Sequence, residues 1–157
     1  MTFSVMPRFK HMFRNAEHSK NLMWHSDVRS SDYMLRHSAD SLQWNMINSK
    51  FFDFGCDARN LRLSLSPDRM HPYANMSSTH ITWPVVLIIY NLPLWLCMKC
   101  EFIRLSLLIS GFRQPENNID VYLAPLIEDL KTMWEESVEV FDAYHQQNLS
   151  FELYYFG

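Results

Sequence analysis

The sequence is short of glycine and of positive charge, and each shortage excludes something. Three glycines stand among 157 residues, well below an average usage of about 7%. Turns that need a positive φ are therefore expected to use Asn, Asp or strained residues. The formal net charge is −3, whereas a free-standing DNA-binding domain is normally basic because it must neutralise phosphates. Composition thus argues against strong affinity for nucleic acid.

Paired cysteines and long apolar runs are also missing. An odd number of cysteines, three, without a secretory leader indicates reduced thiols in an intracellular compartment. Cys97 and Cys100 have CxxC spacing but no partner pair, so chance explains the spacing better than zinc or redox use. The longest apolar run, 83–98, is interrupted by Asn91 and Pro93. It is shorter than the ~20 residues that a membrane-spanning helix needs, so no span is expected.

The composition supports one domain with a real core, since 48% of the residues are hydrophobic and 15% are aromatic. Residues 1–50 are interpreted as a loosely structured leader with short helices at 8–14 and 38–48. Residues 51–148 are interpreted as the core, and 149–157 as a divergent tail. The histidines of the leader match no compact pattern of metal ligands: His11, His18, His25 and His37.

Five periodic segments organise the core. Residues 61–65 alternate apolar and polar side chains, which predicts a half-buried strand, and 83–90 and 102–109 predict two more apolar strands. Residues 119–138 carry one helical apolar stripe, and 138–142 alternate as a short strand. The order β-β-β-α-β predicts an α/β fold with a mixed sheet. The stripe consists of Ile119, Leu123, Leu126, Ile127, Leu130, Met133 and Trp134.

An aspartate follows the first of these strands and another ends the last. If the fourth strand pairs parallel to the first, Asp68 and Asp142 can lie side by side at neighbouring strand ends. Two carboxylates there are hard oxygen ligands suited to Mg²⁺ or Mn²⁺, and such ions assist phosphodiester cleavage. This order of elements and acids is typical of the start of a ribonuclease-H-like nuclease core. The alternative is that both aspartates are turn formers.

Several ordered words in the sequence closely resemble the transposase of plant CACTA-class (En/Spm-type) DNA transposons. The likeness extends over roughly 7–148. The words in the core are Arg59-Asn60-Leu61-Arg62-Leu63, Trp83-Pro84-Val85-Val86-Leu87, Tyr90-Asn91-Leu92-Pro93, Trp95-Leu96-Cys97-Met98-Lys99, Leu105-Ser106-Leu107-Leu108-Ile109, Ile119-Asp120-Val121-Tyr122-Leu123 and Pro125-Leu126-Ile127. Those in the leader are Trp24-His25, Arg36-His37-Ser38-Ala39-Asp40 and Trp44.

The resemblance implies cut-and-paste transposition in the nucleus: metal-dependent hydrolysis at the transposon ends in DNA, then attack of the freed 3′-hydroxyl on target DNA. It places the first two metal ligands, for Mg²⁺ or Mn²⁺, at Asp68 and Asp142. Asp120 is a weaker alternative, because it opens the helix and suits the positive end of the helix dipole.

The departures from the family pattern argue against activity. Arg69 puts a guanidinium where a divalent ion should bind Asp68. The family continues past Gly157 to a third acidic ligand, so a truncated and inactive fragment without a bound cofactor is expected. An active nuclease would have to recruit a distant acid: Glu135, Glu136 or Glu152. A third hypothesis is a non-enzymatic module that binds a partner or associates with itself through an exposed sheet edge. This chain also departs from the family pattern at four other positions: Ser64, His71, Tyr73 and Ser110.

Overall fold

The computed structural model describes residues 5–27, 34–67, 81–99, 101–111 and 119–156. Its helices are α1 Met6–Arg14, α2 Ala16–Leu22, α3 Trp24–Asp27, α4 Leu42–Lys50, α5 Phe52–Cys56, α6 Leu94–Cys97 and α7 Ile119–Glu135. Its strands are β1 Leu61–Pro67, β2 Ile81–Ile89, β3 Arg104–Gly111, β4 Val138–Asp142, β5 Gln147–Phe151 and β6 Leu153–Phe156. A 3₁₀ turn, Ser38–Asp40, precedes α4.

Four strands form one sheet in the order β3-β2-β1-β6. β2 runs antiparallel to β1 and to β3, whereas β6 runs parallel to β1. The predicted α/β class with a mixed sheet is therefore confirmed. Leu61 and Leu63 of β1 are fully buried, because alternate side chains of a strand point to the same face. Each such leucine contributes about 1.5–3 kcal/mol by leaving water.

The two faces of β2 differ in burial. Val85 and Leu87 are buried, whereas Val86 and Ile88 on the opposite face are half-buried. The pairing of β2 with β3 shifts register between Val85 and Val86. At this bulge the buried hydroxyl of Ser106 donates a 2.8 Å hydrogen bond to the carbonyl oxygen of Val85. The side chain thereby satisfies a backbone acceptor beside the irregular ladder.

β4 does not pair with β1, so the parallel pairing on which the two-aspartate site depends is not found. β4 instead pairs antiparallel with β5, from Val138 opposite Phe151 to Asp142 opposite Gln147. The physical reason is the short connection: a loop of four residues favours a hairpin. Gln146 in this turn has a φ of 54°, so a residue with a side chain adopts the left-handed conformation in this glycine-poor chain.

The N-terminal helices contribute side chains to the buried core. Phe9, Met12 and Phe13 of α1 have no exposed surface. The ring of Phe13 stacks on that of Phe151 with centroids 4.9 Å apart. These described helices are part of the fold, because their apolar side chains cover the apolar side chains of the strands.

α7 buries the stripe that its periodicity predicts, with Leu126, Leu130 and Met133 inaccessible to solvent. It ends at Glu135, three residues before the predicted end, because the next residues turn into β4. Within the part of the chain that the structure describes, no helix is both long and apolar enough to cross a membrane.

Candidate functional site

The predicted metal ligands are not brought together as a described site. Asp68 and Arg69 lie outside the described residues, so the predicted pair has no described geometry. Asp120 is exposed in the first turn of α7, where a negative charge complements the helix dipole. The three distant acids lie elsewhere: Glu135 and Glu136 are exposed at the end of α7, and Glu152 is half-buried between β5 and β6.

Asp142 is fully buried at the end of β4. Its Oδ1 accepts hydrogen bonds from the hydroxyl of Ser19 at 2.6 Å and from the backbone N–H groups of Tyr144 at 3.0 Å and His145 at 3.2 Å. Its Oδ2 lies 2.7 Å from Nδ1 of His145. Burial raises the pKa of the carboxyl, but the bonds from Ser19, His145 and Tyr144 outweigh burial and leave this pKa below its usual value.

This donor set does not fit a divalent cation. Mg²⁺ and Mn²⁺ need oxygen lone pairs turned toward the ion, and here both oxygens of Asp142 already accept bonds from protein donors. Among the described residues, no three His, Cys, Asp or Glu side chains form a cluster that could hold a metal ion. The carboxylate instead joins α2 to the β4–β5 turn, and a metal role for Asp142 stays a prediction.

Two buried asparagines that the sequence analysis gave no role fix the start of β1. Asn91 accepts from the N–H of Arg62 at 2.8 Å and donates to the carbonyl oxygen of Asn60 at 2.9 Å. Asn60 accepts from the N–H of Glu152 at 2.7 Å and donates to the carbonyl oxygen of Phe54 at 3.0 Å. The two amides thus connect β1 with the end of β2, the start of β6 and α5. Both asparagines lie in segments that resemble the transposase family, and this was the sign in the sequence that could have pointed to their role.

Arg62 extends this network as a buried cation. Its side chain is 1% exposed, and its guanidinium carbon lies 4.2 Å from the ring centre of Trp44 and 4.8 Å from that of Phe54. Nη2 donates to Oδ1 of Asn48 at 2.6 Å, whereas Nε finds no hydrogen-bond partner among the described residues. Burial lowers the pKa of Arg62 to about 10, so the group stays charged at neutral pH, stabilised by the faces of two aromatic rings.

Cys97 has a structural place rather than a reactive one. Its thiol is buried and donates to the carbonyl oxygen of Ile89 at 3.3 Å, and burial raises the pKa of this thiol. Buried thiols in such surroundings are inert. Cys100 lies outside the described residues.

Two of the described cavities are open grooves, and neither is lined by a predicted metal ligand. One of about 590 Å³ follows the β4–β5 hairpin beside Arg14 and Glu139. Another, of about 310 Å³, lies between α7 and β6 and is lined by Phe51, Trp134 and Tyr154 together with Lys131, Leu153 and Tyr155. Its aromatic rings contact one another, with Phe51 and Trp134 centroids 4.8 Å apart.

A family model described as transposase family tnp2 matches residues 32–156, which is most of the chain. The chain therefore belongs to this family and is a transposase-derived protein. The match includes both asparagines and Arg62, and it leaves out α1 to α3. No curated protein matches, and no solved structure matches.

Proposed function

We propose that this chain derives from a plant CACTA-class (En/Spm-type) DNA transposase with a ribonuclease-H-like core, and that it has no DNA-cleaving activity of its own. Its ancestor would act in the nucleus on the DNA of transposon ends with Mg²⁺ or Mn²⁺. Membership of the transposase family supports the ancestry. The sheet supports the core type, because β1 has antiparallel β2 on one side and parallel β6 on the other, and β6 is reached through α7 and the β4–β5 hairpin.

The loss of activity rests on one observation, the enclosure of Asp142. A catalytic ligand must offer a lone pair to the ion while the ion binds DNA oxygens. Oδ1 of Asp142 already accepts three hydrogen bonds, Oδ2 accepts one from His145, and the residue has no exposed surface for an ion to approach. Each charge-assisted bond of this kind contributes about 1.5–3 kcal/mol, so the fold opposes metal binding at this residue.

Calorimetric titration with Mn²⁺, joined to nicking of a supercoiled plasmid, tests this proposal. We expect no saturable heat and no nicking above the level of an Asp68→Asn, Asp142→Asn double variant. Asparagine keeps the size of each side chain and an acceptor oxygen, so it separates loss of charge from loss of folding. Saturable heat in the wild type that disappears in either single variant would overturn the proposal.

A second candidate, a self-associating module, is favoured by the outer edge of β6. The N–H of Leu61 bonds to the carbonyl of Glu152, and the β1–β6 register is constant. Because backbone groups alternate in direction along a strand, the N–H and C=O groups of Leu153 and Tyr155 point away from β1. Leu153 has no exposed surface, so the accessible outward groups are those of Tyr155, which is half-buried. Among the described strands, none pairs with that outer edge.

β6 is short, but it lacks two other devices that commonly protect an edge. Its four residues, 153–156, include no charge and no proline, and both are common blocks to edge pairing. Two copies could therefore join their β6 edges through backbone hydrogen bonds.

Tyr155→Pro tests this second function, because it removes an outward N–H and leaves the bonds to β1 intact. We expect wild type and Tyr155→Ala to elute as dimers in light-scattering chromatography, and Tyr155→Pro as a monomer. A monomeric wild type, or a Tyr155→Pro variant that remains dimeric, would refute pairing through β6.

A further inference from the structure

We propose that a buried cluster of His25, His37, Trp44 and Arg62 is an acid-operated latch, which holds α3, α4 and α5 on the sheet and releases them when its histidines take up protons. The latch is independent of the transposase activity and of pairing through β6. It would make one part of the chain open before the rest unfolds.

Trp44 is the centre of the cluster. Its indole is 4% exposed and contacts the guanidinium of Arg62 at 4.2 Å, the ring of His25 at 5.2 Å and the ring of His37 at 6.1 Å. The four residues come from α4, β1, α3 and the segment before the 3₁₀ turn. The cluster thus ties the helices to the first strand. Trp24 extends it outward, with its ring 5.3 Å from that of His37.

His37 is held as a neutral imidazole by its hydrogen bonds. Nδ1 accepts from the N–H of Ala39 at 3.0 Å, which requires an unprotonated Nδ1. Nε2 lies 2.8 Å from the carbonyl oxygen of Leu92 and must donate to it. The ring is 6% exposed. A second proton on Nδ1 would meet the Ala39 N–H and abolish the bond that starts the 3₁₀ turn.

His25 meets a positive charge as well as burial. It is 7% exposed. The pKa of His25 is lowered from 6.5 to about 4, mainly by burial and then by the charges of Arg62 and of the neighbouring His37. Backbone hydrogen bonds at Asn91 and Leu22 act in the opposite direction but are weaker.

Among the described residues, Arg62 and Asp40 are charged groups beside the cluster. The carboxylate of Asp40 accepts from the backbone N–H groups of His37 at 3.0 Å and Arg36 at 3.1 Å. It therefore offsets part of a charge on His37. Arg62 disfavours protonation of His25, because a protonated His25 would place two cations around one indole.

The direction of the effect follows from the lowered pKa of His25. In the opened state His25 titrates near its ordinary value of 6.5, so protons favour opening as pH falls below that value, and the effect is complete below about 4. At pH 5 the closed-to-open ratio falls about 30-fold relative to pH 7.5 from His25 alone.

α1 and α2 are expected to stay attached while the latch opens. They are joined to the hairpin strands by the Phe13–Phe151 stack and by the bond from Ser19 to Asp142, and no histidine of the latch takes part. The opening should therefore be confined to residues 24–27 and 34–56. It should also expose Trp24 and Trp44 to water.

Hydrogen exchange of the wild-type chain, corrected for the intrinsic effect of pH, tests the latch without any variant. We expect amides of α4 to exchange about 30-fold faster at pH 5 than at pH 7.5, with those of α1 and α7 changed less than threefold. Equal acceleration in all three helices, or none in α4, would overturn the proposal.

His25→Phe provides a second test, because it keeps a ring against Trp44 and removes the titrating group. We expect the α4 acceleration to fall at least tenfold, and the acid red shift of tryptophan fluorescence to move to lower pH. The same change at exposed His11 should leave both readouts unaltered. An α4 acceleration in a folded His25→Phe chain equal to that of wild type would refute the role of His25.

Discussion

Replacing Asp142 by alanine should destabilise the fold strongly, because this carboxylate is an anchor. The change removes the acceptor of four contacts and leaves the hydroxyl of Ser19 and the N–H groups of Tyr144 and His145 without their partner. Breaking a buried charged network of this kind costs about 3–5 kcal/mol. A domain of this size has about 5–15 kcal/mol in total, so the variant should be close to unfolding.

Two further variants divide this effect. Ser19→Ala removes only the 2.6 Å bond and should cost about 1.5–3 kcal/mol, because Asp142 keeps its other donors. Glu139→Ala removes an exposed acid from the same strand and should change stability by less than about 0.5 kcal/mol. In the Ser19–Asp142 double variant the two losses should be less than additive, since they share one hydrogen bond.

Urea unfolding followed by circular dichroism measures these differences. The pKa of Asp142 is lowered in the folded state, so its contribution is complete above the unfolded value near 4 and declines as pH falls through and below it. The gap between wild type and Asp142→Ala should therefore narrow below pH 4. If Asp142 were an open metal ligand, its removal would leave stability unchanged or improved, and Mn²⁺ would stabilise only the wild type. That result would refute the anchor role.

Two other substitutions test the junction around β1, again by urea unfolding. Asn91→Asp replaces the amide donor to the carbonyl of Asn60 with an oxygen, and should lower the free energy of unfolding by about 2–4 kcal/mol. The same change at exposed Asn148 should be nearly neutral. Equal losses of stability would contradict a special role for Asn91. Gly55→Ala places a methyl group 2.8 Å from the backbone of Asn48. It should lower the free energy of unfolding by about 1–3 kcal/mol, because it forces α5 away from α4. A variant as stable as wild type would show that the two helices adjust freely.

Local periodicity was sufficient where one face of an element decides its place. The alternation of β1 and the stripe of α7 predicted which residues are buried, such as Leu63 and Leu130. It gives no such guide for α4, where the apolar residues Leu42 and Met46 are 81% and 67% exposed. Trp44 is buried instead, because the cation of Arg62 lies against its ring. A pattern of apolar residues cannot anticipate a contact with a buried charge.

The surroundings of Asp142 could not be predicted from the sequence, for a different reason. Its nearest donor, Ser19, is 123 residues away, and α2 had no predicted place in the core. β5 and β6 were not predicted either, because 143–157 has only a weak apolar pattern. β6 takes the position beside β1 that β4 was expected to occupy. Parallel pairing joins residues distant in the chain, so no local pattern reveals its register.

The residues that identify the family and those that would perform its chemistry have separate roles in this chain. Asn60, Asn91 and Arg62 stand in the words that resemble a transposase, and each has buried polar atoms joined to the first strand. Removing one would leave partners unsatisfied, at about 1–3 kcal/mol for each group. Asp142, assigned a catalytic place by the resemblance, joins β4 to α2 through Ser19. The described hydrogen bonds of Asn60, Asn91, Arg62 and Asp142 therefore stabilise the fold.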